Sequence, residues 1–289
     1  MKLASASLLR TGSALAASLA FTCTAVSSAS AQPAPKQLKY VAMGDSYAAA
    51  PLVPEPAPPL GCGKSTNDYP SVLARRLAPG DFTDVTCGGA TTNDIMHHVE
   101  QTPAGPVPSQ IDAVSSDTTL ITVSIGGADI GLWPIVMHCR ASSPDAAPCT
   151  DQYRGEGDQL SARIGAQVPA WAAMIDALKA KAPNARIVIV GYGTYMRPEG
   201  CFPEQPILPQ DGAYLQSKID EIDDRQKELA VDKKIEYFDT RPLTIGHDVC
   251  APPDDRYIEG YTVMHPALPL HPNASGEAAI GNALADDMR

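Results

Sequence analysis

Residues 41–51, VAMGDSYAAAP, carry a short apolar run straight into glycine, aspartate and serine, with small residues following. An apolar run that stops at glycine reads as a buried strand leaving a sheet, which puts Ser46 at the strand's carboxyl end. In open parallel sheets that end is where ligands bind, so Ser46 is a candidate nucleophile. The stretch is not the G-x-S-x-G elbow, because Ala48 stands two residues after Ser46. Taken alone it reads equally as a helix start, since serine is a favoured N-cap. What surrounds it in the chain has to decide.

Outward from this stretch, strand patterns recur. LKYVAMG (38–44), TLITVSI (119–125), ARIVIVGY (185–192) and KIEYFDT (234–240) are short and nearly continuous in apolar character, and FTDVTC (82–87) is a fifth. Helical patterns lie between and after them: SVLARRLA (71–78), DQLSARIGAQVPAWAAMIDALKAK (158–181, with a disturbance expected at Pro169), AYLQSKIDEIDDRQKELA (213–230) and NASGEAAIGNALADDM (273–288). Strand and helix alternate, which predicts an α/β fold with a parallel sheet between helices. Four proline-rich loops interrupt it: Pro51–Thr66, Trp133–Arg154, Tyr195–Gln210 and His247–Leu270. Loops this long need a function or a tether.

The first 31 residues read separately. Lys2 and Arg10 precede an apolar run from Gly12 to Val26, and Ala29-Ser30-Ala31 forms a small-x-small cleavage site before Gln32. This predicts a secretory signal peptide (1–31), with a single domain over 32–289 that is exported or associated with the cell envelope. The apolar run falls short of the roughly 20 residues that cross a bilayer, so no integral membrane segment is expected. Lys2 and Arg10 are the only charges in the leader; the remainder has 20 basic and 33 acidic residues, a net of −13. Such a surface argues against nucleic acid and anionic membranes as partners.

Seven cysteines less Cys23 of the leader leave Cys62, Cys87, Cys139, Cys149, Cys201 and Cys250. An even number in an exported chain reads as disulfides, and six allow fifteen pairings. No cysteine–histidine spacing suits zinc, and no cofactor or metal is expected. His97 and His98 are adjacent on a helical pattern and so diverge by about 100°, a poor chelate. His138, His247 and His265 have no informative spacing.

Three distant segments complete a chemistry. TCGGATTND (86–94) is a Gly-Gly turn opening a helix, SIGGADIG (124–131) is a second Gly-Gly turn after a strand, and LPLHPNASG (268–276) puts His271 just before the last helix. Acyl transfer needs a hydroxyl nucleophile, a neutral imidazole to take its proton, and N–H donors for the developing oxyanion.

In this order, GDSYAAA, CGGATT, SIGGADIG and HPNASG resemble the blocks of the SGNH (GDSL-type) hydrolases, over essentially the whole mature sequence. The resemblance is closest to secreted actinobacterial esterases and lipases with three disulfides. It implies a three-layer α/β/α sandwich around a mostly parallel, flavodoxin-like five-stranded sheet, acting as a monomer on a small-molecule or lipid ester. It further implies Ser46 as nucleophile, His271 as base, the backbone N–H groups of Ser46 and Gly89 as oxyanion donors, and the pairs Cys62–Cys87, Cys139–Cys149 and Cys201–Cys250. Acetyl-sugar ester and phospholipid acyl hydrolysis also lie within the family's range.

The sequence departs from the family pattern twice. The Asn whose side chain donates to the oxyanion is Ala128 here; losing one such donor costs roughly 100- to 1,000-fold in turnover. A degenerate member that binds lipid or glycan without turnover is therefore the alternative. Three residues before His271 stands Leu268 in place of the usual acid. A main-chain oxygen near Ala267 or Leu268 is expected to hold His271 instead, giving a Ser–His dyad, with Asp254, Asp255 and Glu259 as less favoured acids. Asp45 is expected to brace the nucleophile turn, Asp129 to cap a helix, Trp133 and Trp171 to form core or cleft wall, and GYGTYMRP (191–198) to line a pocket. Asn273-Ala274-Ser275 fits a glycosylation sequon but lies inside the His271 block, which discounts it.

Overall fold

The computed structural model describes residues 37–289, so the signal peptide and its cleavage site lie outside the described residues. Gln37–Arg289 forms one unit. The first half contains β1 (Lys39–Gly44), α1 (Ser46–Ala49), α2 (Tyr69–Leu77), β2 (Asp81–Asp84), α3 (Thr92–Met96), β3 (Glu100–Thr102) and β4 (Gly105–Val107). The second contains β5 (Leu120–Ser124), α4 (Leu132–His138), α5 (Gln159–Lys181), β6 (Arg186–Val190), α6 (Pro209–Lys233), β7 (Glu236–Phe238), α7 (Arg241–Thr244) and α8 (Ala274–Asp287).

Five strands form one sheet in the order β2-β1-β5-β6-β7, and every pairing in it is parallel. Counted along the chain this is the 2-1-3-4-5 order of the flavodoxin-like sheet, wholly rather than mostly parallel. Right-handed crossovers that move outward in opposite directions from β1 put α2 on one face and α5 and α6 on the other. α2 packs against α8, and α5 against α6. The three central strands are buried on both faces, as their uninterrupted apolar runs require, with Tyr40, Val41, Ala42 and Met43 of β1 and Ile121 and Val123 of β5 fully enclosed, while the edge strands β2 and β7 are only partly covered.

Two expectations change, and one element is new. α5 runs unbroken through Pro169. A helical proline leaves the carbonyl four residues back without its donor; here that is Gly165, and both residues are exposed, so the freed oxygen is open to solvent. The stretch from Trp133 holds α4 rather than loop alone, and β3 pairs with β4 as a small antiparallel hairpin beside the main sheet. Among the described residues no helix is long and apolar enough to cross a membrane.

The sheet order fixes where a site can form. The chain leaves β1 toward β2 and β5 toward β6, in opposite directions, so a crevice opens where β1 and β5 end. Gly44 ends β1 at φ +144°, and a Cβ there would lie 2.4 Å from the Ser124 carbonyl oxygen, so only glycine lets the two strand ends approach.

Candidate active site

Ser46 follows this glycine at the crevice. Its turn is held from several directions. Asp45 N–H donates to the Ser124 carbonyl (2.9 Å). The buried Gln110 side chain clamps both polar groups of Gly44, accepting from its N–H at 2.8 Å and donating to its carbonyl at 2.9 Å. The cap of α1 is Asp45, whose Oδ1 accepts from Tyr47 N–H (3.0 Å). Ser46 is thereby released from the capping role that its sequence context equally allowed.

His271 Nε2 lies 2.7 Å from Ser46 Oγ. Its Nδ1 lies 3.0 Å from the Pro269 carbonyl oxygen. The main-chain acceptor is thus one or two residues later than the expected Ala267 or Leu268, because the turn at Leu270 (φ +62°) folds the Pro269 carbonyl back beneath the ring. The three acids are spent elsewhere. Asp254 and Asp255 are exposed. Glu259 is fully buried, but its carboxylate accepts from Asn273 Nδ2 (2.8 Å) and Met264 N–H (2.8 Å) and meets His265 Nδ1 (3.0 Å). Glu259 reaches His271 only through the backbone, where its N–H donates to the His271 carbonyl (3.0 Å). Asn273 caps α8 through Oδ1 and is 2 % exposed, so the sequon is a cap.

His271 is 5 % exposed. Burial disfavours the imidazolium and pulls the imidazole down to about 4, against a partial opposing pull from the Pro269 carbonyl. The neutral form is the one that can accept a proton from Ser46, so falling pH removes it only below the ordinary histidine range. The acid limb of kcat/KM on an uncharged ester is expected near pH 4, and a limb near the ordinary 6.5 would contradict the enclosure of this ring.

Gly89, at φ +96°, and Ala128, which opens a 3-10 turn (Ala128–Ile130), line the same cavity as Ser46 and His271. Among the described residues neither Ser46 N–H nor Gly89 N–H has an acceptor. Ala128 adds only a methyl group. Its segment is tied to the Ser46 turn through a relay that the sequence does not reveal: Gly127 N–H donates to Tyr192 Oη (2.7 Å), and Tyr192 donates to Asp45 Oδ2 (2.5 Å). Burial pushes Asp45 up to about 7. Asp129 is not the expected helix cap: it lies inside the 3-10 turn, α3 is capped by Thr91, and the Asp129 carboxylate instead accepts from Thr92 N–H (2.8 Å) and from Trp171 Nε1 (2.9 Å). Trp171 is core and Trp133 is cleft wall. His97 and His98 are exposed at the end of α3.

The cavity measures about 550 Å³, within the roughly 300–1,000 Å³ of small-molecule sites. Leu132, Val136, Tyr195, Met196, Ile219 and Leu270 make its wall predominantly apolar, and neither lysine nor arginine lines it. The disulfides fasten the surrounding loops in the sequential pattern, Cys62–Cys87, Cys139–Cys149 and Cys201–Cys250, with Cα separations of 4.3, 5.1 and 5.6 Å. The first holds the Gly89 turn, where Gly88 N–H also donates to the Cys62 carbonyl (2.8 Å). A hydroxyl bonded to a neutral imidazole, beside free N–H donors and an apolar cavity, is equipped for acyl transfer.

Known proteins resemble this chain over most of its length. A lipase of Streptomyces coelicolor, Lipase 2, is 33 % identical over 273 residues, covering 89 % of this chain and 90 % of its own. An esterase of Streptomyces scabiei is 28 % identical over 96 % of this chain and 91 % of its own. Among solved structures, phospholipase A1 from Streptomyces albidoflavus superposes with a TM-score of 0.68 at 23 % identity, over 87 % of this chain and 99 % of that one. The extracellular lipase from Streptomyces rimosus gives 0.67 at 24 % identity, with the same coverage. The sequence model of one family matches residues 42–279, from β1 into α8, and so spans the strand end, both glycine turns and the histidine. The chain belongs to the GDSL-like lipase/acylhydrolase family, whose members hydrolyse carboxylic esters.

Proposed function

We propose that this protein is an exported serine esterase acting on uncharged carboxylic esters with apolar acyl groups, by a Ser–His dyad. Ser46 Oγ attacks the ester carbonyl while His271 Nε2 takes its proton. The Ser46 and Gly89 N–H groups stabilise the oxyanion, and the imidazolium returns the proton to the departing alcohol. Water, deprotonated by the same imidazole, then cleaves the acyl-enzyme and frees the acid and Ser46. The Pro269 carbonyl fills the place of the acid, holding Nδ1–H so that Nε2 is the accepting nitrogen.

The observation that carries the reading is the 2.7 Å contact between His271 Nε2 and Ser46 Oγ at the wall of an apolar cavity. The absence of lysine and arginine from that wall favours neutral leaving groups over phosphorylated ones. Export is supported by the leader pattern and the three disulfides.

A small organophosphonate tests the reading. Intact mass should rise by one phosphonyl group on the wild type and not on Ser46→Ala. Hydrolysis of a nitrophenyl ester chain-length series should then rise with acyl length before declining as the cavity fills. An unlabelled wild type with no turnover would favour a protein that binds esters without cleaving them.

A further inference from the structure

We propose that Trp133 is a positioning residue for the reaction, acting through the carbonyl that holds His271; the inference rests on the dyad reading above. The Pro269 carbonyl oxygen has two donors. His271 Nδ1 lies 3.0 Å from it, and Trp133 Nε1 donates to it at 3.1 Å. An sp² oxygen has two lone pairs, and here both are taken, one by the base and one by an indole from another element of the fold.

The geometry of the turn shows why the second donor matters. The Pro269 carbonyl and the Leu270 N–H belong to one planar peptide unit and point in opposite directions. Leu270 N–H donates to the Glu259 carbonyl at 3.0 Å, which pins one end of that plane. Trp133 pins the other end, beside the imidazole. Leu270 itself is at φ +62°, a left-handed conformation that its side chain disfavours, so the turn keeps its shape only while it is held from outside. A carboxylate offers the histidine a rigid acceptor with a second oxygen to anchor it. A lone carbonyl lacks that anchor, and the indole supplies it.

Trp133 also lines the cavity and is 42 % exposed, so it stands between substrate and the support of the base. An ester that displaces water from the indole removes the competitor for its N–H and tightens the carbonyl it holds. Occupancy of the cleft and orientation of His271 are thereby coupled.

Trp133→Phe separates this role from simple wall-building, because it keeps a ring and removes only the donor. With nitrophenyl acetate, kcat should fall roughly three- to tenfold, the range of one hydrogen bond, while KM and Tm stay near wild type. The rate of Ser46 phosphonylation by a probe too small to need the indole as wall should fall by the same factor. Trp133→Ala should add a rise in KM to the same loss of kcat. Wild-type kcat and phosphonylation rate in Trp133→Phe overturn the inference, as does an effect confined to KM or one that tracks a fall in Tm. If the wild type is not phosphonylated, or Ser46→Ala turns over as fast, the dyad reading falls and this inference with it. A labelled wild type with an unaffected Trp133→Phe removes only the positioning role.

Discussion

Ser46→Ala and His271→Gln are each expected to lower kcat by about 10⁴-fold or more on a short nitrophenyl ester, and the double variant by no more than either alone. In the proposed dyad the two side chains form one proton-transfer unit through their 2.7 Å contact, so removing either end leaves the other without a task. Gln at 271 keeps much of the imidazole's volume and a donor for the Pro269 carbonyl, so the buried loop need not collapse around a cavity. KM should change little, because the ground-state ester is gripped by the apolar wall rather than by the dyad. Residual turnover should remain above that of buffer, since the proposed oxyanion donors, the Ser46 and Gly89 N–H groups, are left in place. Additive losses in the double variant would mean that the hydroxyl and the imidazole act separately. More than about a tenth of wild-type kcat in His271→Gln would place the base elsewhere.

How far the sequence discloses this site depends on the kind of contact involved. The sheet was legible because strands enclosed on both faces are written as unbroken apolar runs, as TLITVSI and ARIVIVGY are; the observed β5 and β6 fall inside both. That Ser46, Gly89 and His271 gather at one cavity could be expected because each stands in a turn beside a strand end or helix start, which leaves a local signature. The acceptor of His271 was legible only in kind. Whether Ala267, Leu268 or Pro269 faces the ring depends on the left-handed twist at Leu270, and leucine gives no signal for positive φ. Gln110, Tyr192 and Trp133 were less accessible still, because each acts on a residue more than 60 positions away: Gln110 on Gly44, Tyr192 on Asp45, Trp133 on Pro269. Nothing in the neighbourhood of a buried glutamine tells which backbone it will clamp. The sequence placed Trp133 at the start of a loop, where the structure has α4; a seven-residue helix with Pro134 inside its first turn is too short for periodicity to reveal.

Ala128→Asn is expected to raise kcat by roughly tenfold to a hundredfold, with KM nearly unchanged. Ser46 and Gly89, whose N–H groups have no acceptor among the described residues, line the cavity together with Ala128, where the family pattern places a side-chain amide. Removing such a donor from a complete site costs about 100- to 1,000-fold, and the gain from restoring it is set lower because this pocket is shaped around a methyl group. The benefit belongs in kcat, because a carbonyl oxygen becomes a strong acceptor only as the tetrahedral intermediate forms and charge collects on it. The backbone at this position is already held, since Gly127 N–H is bonded to Tyr192 and Tyr192 to Asp45, so a new side chain would be presented from a fixed base. Ala128→Asp is the matched control. It has nearly the same shape but offers an anion to the developing anion, and should lower kcat below wild type if position 128 faces the oxyanion. Opposite responses to Asn and Asp would assign position 128 to the oxyanion hole. A loss of kcat in both would mean that the methyl group fills space the substrate needs, and no change in either would mean that another donor already serves the oxyanion.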